Sequence, residues 1–204
     1  MSAVSEAVRE QGIVAIVRAA DAESAARDVA TLIDAGLRVV EVSLVTPNAI
    51  DVIRTAAASA PDGVLIGVGT AVTAEEVQAA ARAGARFVVS PVLRERVLKA
   101  TLDAGLEALP GVATPTEALQ AVDWGSTFVK LFPASLWSPV ALREVLTALP
   151  ALQTVPTGGV TIDTAPEWIG AGAAAVGIGG ALTRAADPTG AAHALLETIA
   201  AARR

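Results

Sequence analysis

The stretch DAGLRVVEVS, residues 34–43, decides the fold. A helix-like segment ends at Ala35-Gly36, and an apolar, β-branched run follows directly. Glycine accepts the left-handed conformation that often closes a helix, so the pattern predicts a helix followed by a buried strand. The same pair precedes an apolar run at three further places, Ala83-Gly84, Ala104-Gly105 and Ala171-Gly172. The repeat therefore predicts alternating helices and strands.

The apolar runs on either side of this stretch predict eight strands. They span residues 13–18, 39–44, 65–70, 87–91, 107–111, 127–133, 153–158 and 174–180. Helical segments lie between them, and several begin at N-capping signals, which are Thr73 with Glu76, Thr114 with Glu117, and Asp163. A strand followed by a helix eight times over is typical of a (β/α)8 TIM barrel, here as one domain over residues 1–204. The alternative is an open doubly wound sheet, but the first strand-to-helix turn has no glycine-rich nucleotide motif.

The composition excludes several classes of function. With no cysteine and one histidine, His193, the chain offers no thiol nucleophile, no histidine-based zinc site and no serine–histidine triad. Its net charge of -6 and its scattered arginines argue against a nucleic-acid partner. The sequence contains neither an uncharged apolar run of about 18 residues nor the apolar centre of a signal peptide. We expect a soluble cytoplasmic protein that binds neither a membrane nor nucleic acid.

Lysine is rare in this chain, and one of its two lysines interrupts an apolar strand. Lys130 stands in TFVKLFPAS, where strand alternation places it on the face opposite Val129 and Leu131. If those two side chains face the helices, Lys130 points into the barrel. Burial favours the neutral amine, which can attack a carbonyl and form an imine, whereas arginine stays protonated. A structural lysine at the strand end is the alternative interpretation.

Glu41 interrupts its own apolar strand in the same way, and Ser43 shares its face. Two opposite ionisable groups from different strands, directed into one barrel, indicate a proton-transfer partner for the amine. A structural Glu–Lys pair would use the same two residues, and the sequence alone leaves that alternative open.

Two glycine clusters end the last two predicted strands. PTGG spans residues 156–159, and GIGG spans residues 177–180. Barrels often bind phosphate with these two loops, because glycine lets backbone N–H groups approach the oxygens. The pair of loops predicts a phosphate site, although ordinary turn glycines would give the same pattern.

Seven motifs in this order resemble the 2-keto-3-deoxy-6-phosphogluconate (KDPG) aldolase family, which includes 4-hydroxy-2-oxoglutarate aldolases. The resemblance runs from about Gly12 to Leu196, through EVSLVTP, GVGT, VSP, PGVATPTE, FVKLFPAS, VPTGGV and GIGGAL. It implies a class I aldolase, a trimeric (β/α)8 barrel that needs no metal and no cofactor. Such an enzyme cleaves its 2-keto acid to pyruvate and, for the phosphogluconate derivative, glyceraldehyde 3-phosphate.

The resemblance also implies roles for individual residues. Lys130 matches the lysine that forms the Schiff base, and Glu41 matches the general acid and base. Thr70 matches a contact to the substrate carboxylate, and Pro91 and Phe132 match walls of the pocket. The phosphate loops are matched by Gly158, Gly159 and Gly179. Thr157, which precedes the paired glycines, favours the gluconate epimer over the galactonate epimer, whose aldolases tend to have an apolar residue there.

Two positions depart from the family pattern. Val45 stands where many members have an arginine, so we assign the carboxylate contact to Arg18 at the end of the first strand. Gly180 stands where the family usually has a phosphate-binding serine, which leaves open whether the substrate must carry a phosphate. The competing functions are an unphosphorylated 2-keto-3-deoxy acid or hydroxyoxoglutarate aldolase, a phosphosugar isomerase or epimerase, and a non-catalytic barrel that binds a phosphate ligand.

Overall fold

The computed structural model of the chain describes residues 2–204 as an α/β fold. Its strands are β1 (Ile13–Val17), β2 (Val39–Ser43), β3 (Leu65–Gly69), β4 (Phe87–Val89), β5 (Glu107–Leu109), β6 (Gly111–Val112), β7 (Val129–Leu131), β8 (Thr154–Pro156) and β9 (Val176–Ile178). Its α-helices are α1 (Ala3–Gln11), α2 (Ala22–Asp34), α3 (Ala49–Ser59), α4 (Ala74–Arg82), α5 (Glu95–Asp103), α6 (Pro115–Asp123), α7 (Pro139–Ala148), α8 (Ala165–Gly170), α9 (Gly180–Thr183) and α10 (Pro188–Ala202). A short 3-10 helix spans Ala134–Leu136. Helices and strands alternate along most of the chain, as the Ala-Gly repeat predicts.

The strands form curled parallel sheets in nearly sequential order. One sheet has the order β5-β4-β3-β2-β1-β9, and the other has the order β6-β7-β8. The last strand thus lies beside the first, which is not the order of a doubly wound sheet. The alternative of an open doubly wound sheet is therefore wrong.

The predicted fifth strand, residues 107–111, is split at Pro110 into β5 and β6. Proline has no N–H group to donate to a neighbouring strand, so the regular ladder is interrupted at this residue. Its carbonyl oxygen still accepts a hydrogen bond from the backbone N–H of Lys130, at 2.9 Å. Residues 2–204 therefore contain nine short strands where the sequence predicts eight.

The other predicted strands are present, but most end earlier than expected. Arg18, Thr70 and Phe132 each follow the last residue of their strand. The N-caps expected at Thr73 and Thr114 are confirmed, since each hydroxyl accepts a hydrogen bond from the N–H three residues on. The N-cap expected at Asp163 is wrong, because α8 begins after Thr164. The Thr164 hydroxyl instead accepts a hydrogen bond from the N–H of Thr161.

Side chains alternate between two apolar layers along the strands. Outward-facing residues such as Val40 and Val42 pack with the helices in the main core. Inward-facing residues form a second cluster, which includes the fully buried Phe87 and Phe128 and residues of α1. This inner cluster fills the space between the strands at their amino-terminal ends, and the space between their carboxyl-terminal ends is left open. Among residues 2–204, no helix is both long and apolar enough to cross a membrane.

Candidate active site

A cavity of about 410 Å³ lies at the carboxyl-terminal ends of the strands. Its walls include most of the residues that the sequence predicts to be functional, namely Arg18, Glu41, Lys130, Phe132, Thr157, Gly158, Gly159, Gly179 and Gly180. A larger cavity of about 500 Å³ lies elsewhere, beside α3 and the start of β3, and contains none of them. The chain thus brings its unusual ionisable groups and both glycine clusters to one place.

Lys130 is buried in the wall of this cavity, with a relative exposure of 6%. Its neighbours on β7, Val129 and Leu131, pack in the outer apolar clusters, so the predicted inward orientation of the lysine is confirmed. The Lys130 Nζ atom lies 4.9 Å from the centre of the Phe132 ring. A cation is attracted to the face of an aromatic ring, so this contact holds the amine in the cavity.

Glu41 lies in the same cavity and is buried at 2% exposure. Its Oε2 atom has no hydrogen-bond partner among the described residues. Burial raises the pKa of this carboxyl above its usual value, while the positive charges of Lys130 and Arg18 act in the opposite direction. A buried carboxyl with a raised pKa in the wall of a cavity is suited to take up and release protons.

Gly69 provides the space for the Glu41 side chain. Gly69 on β3 is paired with Ser43 on β2, and Ser43 lies two residues after Glu41. A Cβ atom built on Gly69 would lie 2.1 Å from the Glu41 Oε1 atom, a distance at which one of the two must move. The carboxyl group thus lies directly against the glycine backbone of the next strand.

Two predicted substrate contacts, Thr70 and Pro91, are not among the residues that line the cavity. Thr70 has a positive φ of 66°, and its Oγ1 atom lies 2.9 Å from the Ser43 Oγ atom, next to the strand of Glu41. The backbone of Pro91 contacts Gly111, where an added Cβ atom would lie 2.3 Å from the Pro91 carbonyl group. Both residues therefore lie near the carboxyl ends of the strands, beyond the cavity wall itself.

Thr157 is buried at the end of β8, and Gly177 makes room for its side chain. A Cβ atom on Gly177 would lie 2.2 Å from the Thr157 Oγ1 atom. The hydroxyl donates a hydrogen bond to the carbonyl oxygen of Val155 at 3.0 Å, which leaves its oxygen lone pairs as acceptors. Thr157 can therefore accept a hydrogen bond from a hydroxyl group in the cavity.

The first glycine cluster brings the backbone close to Phe132. Gly158 and Gly159 have φ angles of 87° and 93°, a region that favours glycine. A Cβ atom on Gly158 would lie 3.0 Å from the Phe132 ring. The loop therefore forms a narrow backbone wall beside the ring and the amine of Lys130.

Arg184 also lines the cavity, although the sequence does not predict it as a site residue. Its guanidinium group lies over Gly180, four residues earlier. Arg184 lies just after α9, which has only four residues, so no helical pattern in the sequence indicates it. The other lining residues that were not predicted are Ile16, Val160, Thr161, Gly177, Ala181 and Thr183.

The arrangement combines an amine, a carboxyl group and two guanidinium groups. A primary amine can condense with a ketone to form an imine, and the adjacent carboxyl can move the protons that this requires. The guanidinium groups of Arg18 and Arg184 can bind anions. The cavity is therefore suited to imine chemistry on a negatively charged keto compound.

Comparison with known proteins gives a consistent set of similarities. The family model "KDPG and KHG aldolase" matches residues 4–190. The 2-dehydro-3-deoxy-6-phosphogalactonate aldolase of Escherichia coli (strain K12) is 34% identical over 174 residues, which cover 85% of each chain. The 2-dehydro-3-deoxy-phosphogluconate aldolase of Treponema pallidum (strain Nichols) is 40% identical over 169 residues, which cover 80% of this chain and 77% of the relative.

A solved structure adds a similarity in three dimensions. It is a KDPG aldolase from Legionella pneumophila, with pyruvate captured at low pH as a covalent carbinolamine intermediate. Its TM-score to this chain is 0.81, with 26% sequence identity and 98% coverage of both chains. The similarity therefore extends over the whole fold and reaches a protein caught in covalent reaction with pyruvate.

Proposed function

This chain belongs to the KDPG and KHG aldolase family, and from this premise we propose that Lys130 forms the Schiff base of a class I aldolase. As an aldolase, the chain is a carbon–carbon lyase. The single observation that carries the assignment of Lys130 is its burial in one cavity with Glu41, in a chain that has only two lysines. Lys99, the other one, is exposed on α5 and paired with Glu95.

The proposed reaction begins when the Lys130 amine attacks the C2 ketone of the substrate and water is lost. Glu41 then takes the proton of the C4 hydroxyl, and the C3–C4 bond breaks. The bonding pair moves into the iminium group to give an enamine, while C4 becomes the aldehyde of the departing fragment. Protonation at C3 and hydrolysis of the imine release pyruvate and restore the free amine.

The remaining predicted residues take binding roles in this proposal. Arg18 pairs with the carboxylate next to the ketone, with Thr70 as a further contact to that group. Phe132 forms a wall of the pocket. Pro91 does not line the cavity, and its role as a pocket wall rests on the family resemblance alone. The phosphate is held by the backbone of the two glycine clusters, that is, by Gly158, Gly159, Gly179 and Gly180.

We propose 2-keto-3-deoxy-6-phosphogluconate as the substrate, with glyceraldehyde 3-phosphate as the second product. Thr157 supports this epimer, since its hydroxyl can accept a hydrogen bond from the sugar chain. The second candidate is the galactonate epimer, which is favoured by the similarity to the E. coli phosphogalactonate aldolase. Cleavage of 4-hydroxy-2-oxoglutarate to pyruvate and glyoxylate would use the same imine chemistry.

We further propose that the two sheets join into a (β/α)8 barrel. Three contacts support the closure: the Lys130 N–H to Pro110 oxygen bond, the Ala174 N–H to Thr154 oxygen bond of 2.9 Å, and the bridge between Thr157 and Gly177. We also propose a homotrimer, since Leu136 and Val140 expose 77% and 61% of their surface and a subunit contact would cover them. Light scattering of the purified protein tests the trimer.

Borohydride reduction in the presence of pyruvate tests the proposed chemistry. Reduction makes an imine permanent, so mass spectrometry should find one pyruvate-derived adduct, on the peptide that contains Lys130. Lys130→Arg keeps the charge but cannot form the imine, so it should show no adduct and lose nearly all cleavage activity. The matched control, Lys99→Arg, should be modified and active like the wild type. Cleavage by Lys130→Arg at close to the wild-type rate would contradict the proposal.

A further inference from the structure

The Arg184 guanidinium occupies the space that Gly180 leaves empty. Arg184 follows the last residue of α9, and side chains on a helix point back towards its amino terminus. A Cβ atom on Gly180 would lie 2.2 Å from the Arg184 Nη2 atom and 2.3 Å from its Cζ atom. Any side chain at position 180 would therefore compete with the guanidinium group for the same place.

This guanidinium group has no protein partner among residues 2–204. The Arg184 side chain forms neither a hydrogen bond nor an ion pair with the described residues, and it lines the cavity of Lys130. Arg203 gives a contrast, because its guanidinium group donates hydrogen bonds to the carbonyl oxygens of Glu10 at 2.8 Å and Ala174 at 2.6 Å. Arg203 thus stabilises the fold, whereas the donors of Arg184 face open space.

The two arginines of the cavity follow different strands and differ in their electrostatic effect on Glu41. Arg18 follows β1, and its positive charge acts on the carboxyl of Glu41. Arg184 follows β9 and α9, and it is not among the described cations that act on Glu41. The proposed substrate also has two separate anionic groups. Its carboxylate lies next to the reacting ketone, and its phosphate lies at the far end of the carbon chain.

We propose that Arg184 binds the terminal phosphate of the substrate and determines the preference for phosphorylated 2-keto acids. Arginine can donate two parallel hydrogen bonds to phosphate oxygens, which is a stronger contact than one hydroxyl group provides. Gly180 serves this contact by leaving room for the guanidinium group. The inference rests on the proposed aldolase function and adds the residue that recognises the phosphate.

The first test compares two substrates, 2-keto-3-deoxy-6-phosphogluconate and its unphosphorylated form. In Arg184→Ala, kcat/KM for the phosphorylated substrate should fall about 10- to 100-fold, and the preference for phosphate should fall with it. Inhibition by glyceraldehyde 3-phosphate should weaken in parallel. The control is Arg143→Ala, which removes an arginine from α7 outside the cavity and should keep the wild-type preference. An equal loss for both substrates, or a loss below about twofold, would overturn the proposal.

The second test uses Gly180→Ala, which should act through Arg184. The added methyl meets the far end of a flexible side chain, so the guanidinium group can move away while the fold is kept. The preference for phosphate should then fall as in Arg184→Ala, and the double variant should lose no more than Arg184→Ala alone. If the losses of the two single variants add up in the double variant, the proposal that residue 180 and the guanidinium group occupy the same space is contradicted. Borohydride trapping of pyruvate on Lys130 should persist in each variant, so its absence in the wild type would instead reject the proposed aldolase chemistry.

Discussion

The carboxyl group of Glu41 lies against the backbone of Gly69 on the neighbouring strand, so closely that an added Cβ atom would be 2.1 Å from Oε1. The contact leaves the acid buried in the cavity with an oxygen that has no hydrogen-bond partner among residues 2–204. The position of the Glu41 carboxyl therefore requires a glycine at position 69. The importance of this glycine can be tested by adding one methyl group.

Gly69→Ala should lower kcat by about 10²- to 10⁴-fold, the range expected when general acid–base catalysis is lost. The loss is expected because the added methyl group would displace the Glu41 carboxyl from its position in the cavity. Steady-state kinetics on 2-keto-3-deoxy-6-phosphogluconate measures the effect, and circular dichroism checks the fold. Gly170→Ala is the control, because an added Cβ atom there meets nothing within 4 Å and activity should be kept. A Gly69→Ala enzyme with the wild-type kcat would show that the position of Glu41 is not critical.

The acidic side of the activity profile should follow the raised pKa of Glu41. The carboxylate form is needed to accept the C4 proton, so kcat/KM should rise with pH through a value above the ordinary carboxyl value of 4.5. Arg18→Ala removes a positive charge that lowers this pKa, so the acidic side should move to higher pH as overall activity falls. Arg143→Ala should leave the profile in place. An unmoved profile in Arg18→Ala would contradict the electrostatic coupling of these two residues.

Glu41→Gln should stabilise the protein at neutral pH while it removes activity. The pKa of Glu41 is higher in the folded state than in the unfolded chain, so the folded state loses stability as pH rises from 4.5 towards the folded value. Glutamine has a similar shape and no charge, so it avoids this loss. The difference in Tm between variant and wild type should widen with pH above 4.5, by about 2–4 °C for each kcal/mol at this chain length. A variant that becomes less stable than the wild type as pH rises would reverse the sign and contradict the prediction.

The positions of Lys130 and Glu41 could be predicted because each interrupts a short apolar strand. Side chains alternate along a strand, so apolar neighbours that pack against helices force the charged residue inwards. Val129 and Leu131 do this for Lys130, and Val40 and Val42 do it for Glu41. At both strands, the alternation in the sequence and the burial of the apolar neighbours indicate the same inward orientation of the charged residue. The candidate site can therefore be predicted from the sequence.

Arg184 could not be found by the same reasoning, because α9 has only four residues and carries no periodic pattern. Its importance depends on the direction of a long side chain and on the missing side chain of Gly180, which are features of three-dimensional packing. The split at Pro110 was missed for a related reason, since hydropathy continues across the proline while the hydrogen-bond ladder does not. The roles of Thr70 and Pro91 came from the family resemblance alone and stay predictions.

Thr157→Val should reduce discrimination between the two epimeric substrates. Valine keeps the shape beside Gly177 but removes the hydroxyl that can accept a hydrogen bond from the substrate. The ratio of kcat/KM for the gluconate epimer to that for the galactonate epimer should fall about 10-fold, the usual effect of one lost hydrogen bond to a substrate hydroxyl. The measurement needs both epimers with the same batch of enzyme.

A second threonine, at the start of β8, provides the control for this prediction. Thr154 is buried with no hydrogen-bond partner among residues 2–204, and it lies among apolar residues outside the cavity. Thr154→Val removes a hydroxyl of the same kind three residues earlier, outside the cavity, so it should keep the epimer ratio of the wild type. If both variants change the ratio equally, the effect comes from strand β8 as a whole, and the hydroxyl of Thr157 does not select the epimer.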